Sequence, residues 1–178
     1  MSILIIGGAG YIGSHTVKYF IEQNEDVIIV DNLLTGHKEA VLSDKFYNYD
    51  IRDKENLDKI FKENDIEAVI HFAANSLVGE SMVKPYEYYH NNVYGMMCLL
   101  DVMKENNATF GISFCGSGGA GAIMAQTKYG YKATSHLRSV DAGVTAIKQG
   151  YQVVGFGFLD TEELGRRLVE EYRRVNKM

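Results

Sequence analysis

The chain is predicted to be an α/β protein built on a doubly wound parallel sheet of about six strands in three α/β/α layers, and three observations predict it. Short apolar runs such as "SILII", "DVIIV" and "EAVIHF" are bounded by glycine or polar residues, as strands buried on both faces are. They alternate with stretches of helical periodicity, which is the order of parallel strands joined by crossover helices. The first apolar run leads directly into "GGAGYIG", a glycine-rich turn that opens a helix.

Taken in order, "SILIIGG" is the first strand, "YIGSHTVKYFIEQN" the first helix and "DVIIVDN" the second strand. "FYNYDI" reads as a third strand. A helix is expected from about Lys54 to Asn64, capped by Asp53, with Leu57, Ile60 and Phe61 on its apolar face. "EAVIHFAA" is the fourth strand. Pro85 fits the first turn of a long helix to about Asn106, whose stripe is Tyr89, Val93, Met96, Leu100 and Met103. "TFGISFCG" is the fifth strand, followed by a glycine-interrupted stretch that is helical in parts, and "YQVVGFGFL" is the sixth. In the last helix Asp160 and Glu163 fit a capping box, and Leu164, Leu168, Tyr172 and Val175 form the apolar stripe.

At 178 residues the expectation is a single domain, residues 1–178. A formal charge of −5 without a basic block argues against nucleic acid as a partner. No apolar run reaches bilayer length and "MSILIIGGAG" lacks the apolar stretch of a signal peptide, so the chain is expected to be cytoplasmic, with no membrane partner. Cys98 and Cys115 have no metal-ligand spacing and read as buried thiols, while His71 and His90 read as hydrogen-bonded structural histidines; no metal is expected. Pro85 is the only proline, and 11 of the 18 glycines follow Asn107.

The glycine loop carries the chemistry. Gly7 permits the tight turn, Gly10 lets a pyrophosphate approach the backbone, and Gly13 lets the helix pack against the sheet, with Tyr11 and Ile12 in the helical turn that faces the anion. Asp31 ends the second strand 18 residues after Gly13, where a carboxylate accepts both ribose hydroxyls and repels a 2′-phosphate. This combination makes the sheet Rossmann-like and predicts a dinucleotide cofactor, NAD in preference to NADP.

From Met1 to about Asn107 the chain resembles the UDP-glucose 4-epimerases, which are extended short-chain dehydrogenases/reductases. The matching words are "GGAGYIGSHT", "VDNLLTG", "YDIRD", "IEAVIHFAA" and "VGESMVKPYEYYHNNVYG". The resemblance implies that Asp31 and Asn32 hold the adenosine ribose and that Asp50 and Ile51 flank the adenine. It implies further that Phe72, Ala73 and Ala74 line the path to the nicotinamide ribose, that Lys84 reaches the cofactor on its nicotinamide side, and that Asn92 belongs to the same wall. The family's homodimer would pair the Pro85–Asn106 helix and the one near Tyr129, of which only the first is intact in this sequence, so the oligomeric state is left open.

The resemblance weakens where the chemistry should be. An epimerase of this kind uses a tyrosine with a lysine four residues on, both on one helix face, so that the ammonium lowers the phenol pKa. In "TKYGYKAT" Tyr129 is followed by Ala133 at that distance, and Lys132 comes one residue early. Tyr129 and Lys132 are thus a candidate catalytic pair in an unfavourable register. Ser113 or Ser117 would replace the family's serine, and Gly116, Gly119 and Gly121 offer a second candidate anion loop. No family is recognised for residues 108–178, and the sugar-binding portion of the family is not seen there. The expectation is an NAD-binding Rossmann domain that is catalytically incomplete, as in a chimeric or redesigned chain. The alternatives are an epimerase-like enzyme with an altered site that uses Tyr129, and a non-catalytic NAD-sensing subunit.

Overall fold

β1 (Ser2–Ile6) is an interior strand of the first sheet in the computed structural model, which describes residues 2–114, 119–157 and 163–177. It pairs in parallel with β2 (Val27–Val30), which in turn pairs with the short β3 (Phe46–Tyr47). On its other side lies β4 (Ile66–His71), giving the order β3-β2-β1-β4. Alternation along β1 sends its side chains to two cores. Leu4 and Ile6 pack with Ile28, Val30, Leu57, Ile60, Leu99 and Val102, whereas Ile5 packs with Val17, Val27 and Ile29. Helix α1 (Tyr11–Glu22) supplies Val17 to the second core. Helix α2 (Lys54–Glu63), capped by Asp53 through the Asn56 amide at 3.2 Å, supplies Leu57 and Ile60 to the first.

After β4 come two short helices, α3 (Val78–Val83) and α4 (Pro85–Tyr89), then a π-helical turn at His90–Gly95 that runs into α5 (Met96–Glu105). The long helix expected from Pro85 is therefore present but interrupted. A π turn carries one extra residue, which rotates the buried stripe by about 100°. Gly95, Cys98, Leu99 and Val102 face inward, the expected stripe members Met96 and Met103 pack against the first core, and Tyr89 and Val93 are exposed.

The remaining chain alternates strictly: β5 (Gly111–Phe114), α6 (Ala120–Tyr129), β6 (Ala133–Leu137), α7 (Val140–Lys148), β7 (Val153–Phe156) and α8 (Leu164–Asn176). All its strands are parallel, in the order β5-β7-β6. Val153 packs with Ala122 and Ala125 of α6, while Val154 and Phe156 pack with Ala146, Ile147, Leu164 and Leu168. Leu164, Leu168 and Tyr172 of the expected last stripe reach this core, and Val175 is exposed. Asp160 lies outside the described residues, and Glu163 precedes α8 without a side-chain capping bond.

The α/β class and parallel pairing are as the sequence predicts. Among the described residues the strands number seven, and they pair as four and three where one sheet of about six was expected. The additional strand is β6, which lies in the stretch expected to be helical in parts. Because β7 bonds β5 on one edge and β6 on the other, its pairing is satisfied within its own sheet. The chain accordingly divides into two compact units, Met1–Asn106 and Asn107–Met178.

Candidate cofactor-binding site

β1 ends in the glycine turn. Gly7 has φ +82°, and a Cβ there would lie 2.7 Å from the Ala73 nitrogen, so both the turn and the approach of the β4 exit require glycine. A Cβ on Gly13 would collide with the Gly7 carbonyl oxygen. Gly10 differs: its φ is negative, and a Cβ would meet nothing closer than the Gly7 oxygen at 3.4 Å. Its missing side chain is thus not required by the protein's own packing. Gly10 opens α1, which has no side-chain cap and no acidic residue in its first turn, leaving first-turn amides available to an anion.

Gly7, Gly10, Asp31, Asn32, Ile51, Phe72, Ala73 and Ala74, all expected from the sequence, line one cleft open to solvent. Leu34, Thr35, Tyr49, Asn75 and Asn91 also line it and were not foreseen. The first three sit in loops after β2 and β3, where no periodic signal points. Gly13 lies beneath the turn, and Tyr11 and Ile12, in the first turn of α1, are 84% and 64% exposed.

Asp31 is 7% exposed and structurally committed, with one oxygen accepting the Ala9 amide at 2.9 Å and the other the Leu33 amide at 2.8 Å. A carboxylate has about four acceptor positions, so capacity for two ribose hydroxyls remains. Asn32 also lines the cleft, with its Nδ2 donating to Asp50 at 2.8 Å. Asp50 itself does not line the cleft. Arg52 grips it from the far side, and this hydrogen-bonded guanidinium holds the Asp50 carboxyl far below the usual carboxylate range.

Of the wall implied by the resemblance, Lys84 is turned to Glu80 at 2.9 Å, and Glu80 also accepts the Tyr88 hydroxyl. Asn92 lies behind the lining and bonds both backbone groups of Asn75, while its neighbour Asn91 donates to the Ala73 carbonyl at 2.9 Å. The π turn presents two consecutive asparagines to one loop. His71 is hydrogen-bonded, as expected: its Nδ1 accepts the Ala73 amide at 3.2 Å, and burial pushes its pKa down to about 4.

The candidate catalytic pair is not brought onto one helix face. Tyr129 is the last residue of α6, and Gly130 ends the helix in the left-handed conformation at φ +71°. Lys132 lies beyond that cap, its Nζ donating to the Gln149 carbonyl at 2.6 Å and sitting 4.8 Å from the Tyr151 ring. "TKYGYKAT" is a helix end where a helix start was expected. Ser113 sits on β5 with its Oγ against Gly121 of α6; Cys115, Gly116 and Ser117 lie outside the described residues. Cys98 is a buried free thiol. Among the described residues, no helix is long and apolar enough to cross a membrane.

Comparison with known proteins finds two family models whose matches overlap at residues 90–119. The GDP-mannose 4,6 dehydratase family model matches residues 4–119, and the model described as Glycine-rich SFCGS matches residues 90–175. The word "SFCGS" stands at residues 113–117, a signal that the sequence reading passed over. The UDP-glucose 4-epimerase of Halalkalibacterium halodurans is 57% identical over 107 residues, which is 60% of this chain and 32% of that protein. A crystal structure of a UDP-glucose 4-epimerase superposes with a TM-score of 0.61 at 52% identity, covering 67% of this chain and 37% of that one. The UDP-glucose 4-epimerase from Brucella ovis in complex with NAD gives 0.61 at 30% identity, over 99% of this chain and 47% of that one. The chain spans about a third of the length of the curated relatives it matches. With the glycine turn, the Asp31 strand end and the β4 exit all inside the matched region, the chain belongs to the GDP-mannose 4,6 dehydratase family, and its first unit is a nucleotide-sugar epimerase/dehydratase-like Rossmann domain.

Proposed function

We propose that the Met1–Asn106 unit binds NAD in the cleft between the glycine turn and the β4 exit, and that Tyr129 and Lys132 are not its proton-transfer pair. The observation that carries the first statement is the open Gly10 beside a buried Asp31 carboxylate with acceptor capacity to spare. The first-turn amides of α1 take the pyrophosphate, Asp31 takes the adenosine ribose and excludes a 2′-phosphate, and the Phe72–Asn75 loop borders the nicotinamide side. NAD bound there would accept a hydride from the carbon that carries a sugar hydroxyl; the residues of this unit bind and orient the cofactor. The solved epimerase from Brucella ovis, whose structure is described as a complex with NAD, supports the choice of cofactor. The second statement is supported by the Gly130 cap between the two residues and by the engagement of Lys132 with Gln149 and Tyr151.

The Asn107–Met178 unit is proposed to be a module of separate descent. Its support is the second family model, which matches residues 90–175 and overlaps the first at residues 90–119, together with the relative whose identity runs over 107 residues.

Calorimetric titration of the full chain with NAD and NADP tests the cofactor reading. NAD is expected to bind more tightly than NADP, and Asp31→Asn is expected to narrow that ratio by removing the charge that repels the 2′-phosphate. Equal binding of the two cofactors, or binding of neither, would remove this reading.

A further inference from the structure

In the second unit the connections of neighbouring strands leave the sheet on opposite sides. β5 leads into α6, whose Ala122 and Ala125 pack with Val153, whereas β7 leads into α8, whose Leu164 and Leu168 pack with Val154 and Phe156. Successive residues of a strand face opposite sides, so α6 lies on one face of the sheet and α8 on the other. β5 and β7 are hydrogen-bonded neighbours. Where adjacent parallel strands send their connections to opposite faces, a crevice opens outside their carboxyl ends, and such crevices receive ligands.

Two side chains from the end of β6 reach the margins of this crevice. Arg138 lies against Gly157, the residue after β7: a Cβ on that glycine would collide with the guanidinium, whose Cζ is 2.9 Å away. His136 lies against Gly119 at the start of α6, with ring atoms Cε1 and Nε2 at 3.0 and 3.2 Å from where a Cβ would stand. A backbone distortion carries the ring there. β6 shifts register between Thr134 and Leu137, and His136 has φ +61°, in the left-handed region that residues other than glycine rarely occupy. Ser135 Oγ is 2.8 Å from His136 Nδ1; when the hydroxyl donates there, Nε2 carries the ring proton and is a donor.

The Arg138 guanidinium makes no hydrogen bond or ion pair among the described residues. Asp141, the carboxylate nearest to it in sequence, pairs instead with Arg167 at 2.7 Å. The start of α7 does not attract an anion, since Ser139 caps it and Asp141 stands in its first turn.

We propose that the crevice at the carboxyl ends of β5 and β7 is a phosphate-binding site, in which the Arg138 guanidinium and His136 Nε2 hold the phosphate group of a small phosphorylated ligand. The two donors stand at different exits of the sheet. A tetrahedral phosphate presents oxygens to both, whereas the two oxygens of a carboxylate are filled by the guanidinium fork alone. Gly157 and Gly119 leave the space in which the two side chains lie. The site belongs to the Asn107–Met178 unit and is independent of the dinucleotide reading of the first.

The test is titration of the full chain with inorganic phosphate, at constant ionic strength set with chloride, followed by amide NMR. Each amide reports separately, which keeps this crevice apart from the cleft of the first unit. The Gly119, Arg138 and Gly157 signals are expected to shift saturably. Arg138→Met is expected to weaken that binding at least about tenfold, as loss of a charge-assisted bond does. Gly157→Ala keeps the arginine but displaces it, and is expected to weaken phosphate binding while the amides of β5, β6 and β7 keep their dispersion. Acetate is expected to bind more weakly than phosphate. Shifts confined to the first unit, shifts that never saturate, unchanged affinity in either variant, or acetate binding as tight as that of phosphate would each overturn the assignment.

Discussion

Asn92 satisfies both backbone polar groups of Asn75: its Oδ1 accepts the Asn75 N–H at 2.8 Å and its Nδ2 donates to the Asn75 carbonyl at 2.8 Å. Residue 92 sits on a helix and residue 75 in the loop after β4, so this pair sets where one rim of the cleft lies. Substitution Asn92→Leu leaves the partly buried Asn75 amide without its partner. A loss of about 1–2 kcal/mol in urea denaturation is expected, with faster hydrogen exchange at Asn75. Unchanged exchange at Asn75 would show that the loop is held by other means.

His71 links the same loop to pH. Its folded pKa of about 4 is below its ordinary value of 6.5, so between these values the unfolded chain binds the proton and the folded one does not. Stability is therefore full above about pH 6.5 and declines as pH falls toward 4, by roughly 2 kcal/mol at pH 4.5. Protonation of Nδ1 also removes the acceptor of the Ala73 amide. Urea midpoints at pH 7 and 4.5 are expected to differ less in His71→Leu than in the wild type; an equal or larger difference in the variant would assign the acid sensitivity elsewhere.

The two glycines of the turn are expected to behave oppositely in the free protein. Gly13→Ala drives a methyl group into the Gly7 carbonyl and is expected to cost about 1–3 kcal/mol. Gly10→Ala meets ordinary contacts only and is expected to cost less than about 1 kcal/mol. Thermal denaturation of the two variants distinguishes them.

Leu168 is fully buried against Phe156 and its neighbours in the second unit. Leu168→Ala is expected to cost about 2–5 kcal/mol there. Hydrogen exchange is expected to show lost protection in β7 and α7 with β1 and β2 unchanged, in keeping with two units. Loss of protection in β1 as well would contradict that independence.

What was legible in the sequence was local. The apolar runs of β1, β2 and β4, the Asp53 cap and stripe of α2, and the glycine turn with Asp31 are each encoded within a few residues, and each stands where expected. The misreadings all depend on partners distant in sequence or on one special backbone position. No periodicity announces the π turn at His90–Gly95, whose Asn91 and Asn92 bond to Ala73 and Asn75, far away in sequence. Gly130 turns a pattern that continues on paper into a helix end, and β6 then forms because β7 offers it an edge. Asp50, expected beside the adenine from its place in "YDIRD", accepts hydrogen bonds from the arginine of that same word.

Calorimetric titration of Gly10→Ala with NAD, beside the wild type, tests the proposal that the space above Gly10 receives a pyrophosphate. The wild type is expected to bind NAD and the variant, although folded, to bind at least about tenfold more weakly, since its methyl group occupies the approach of the phosphates. A folded Gly10→Ala variant that binds NAD as tightly as the wild type would contradict it.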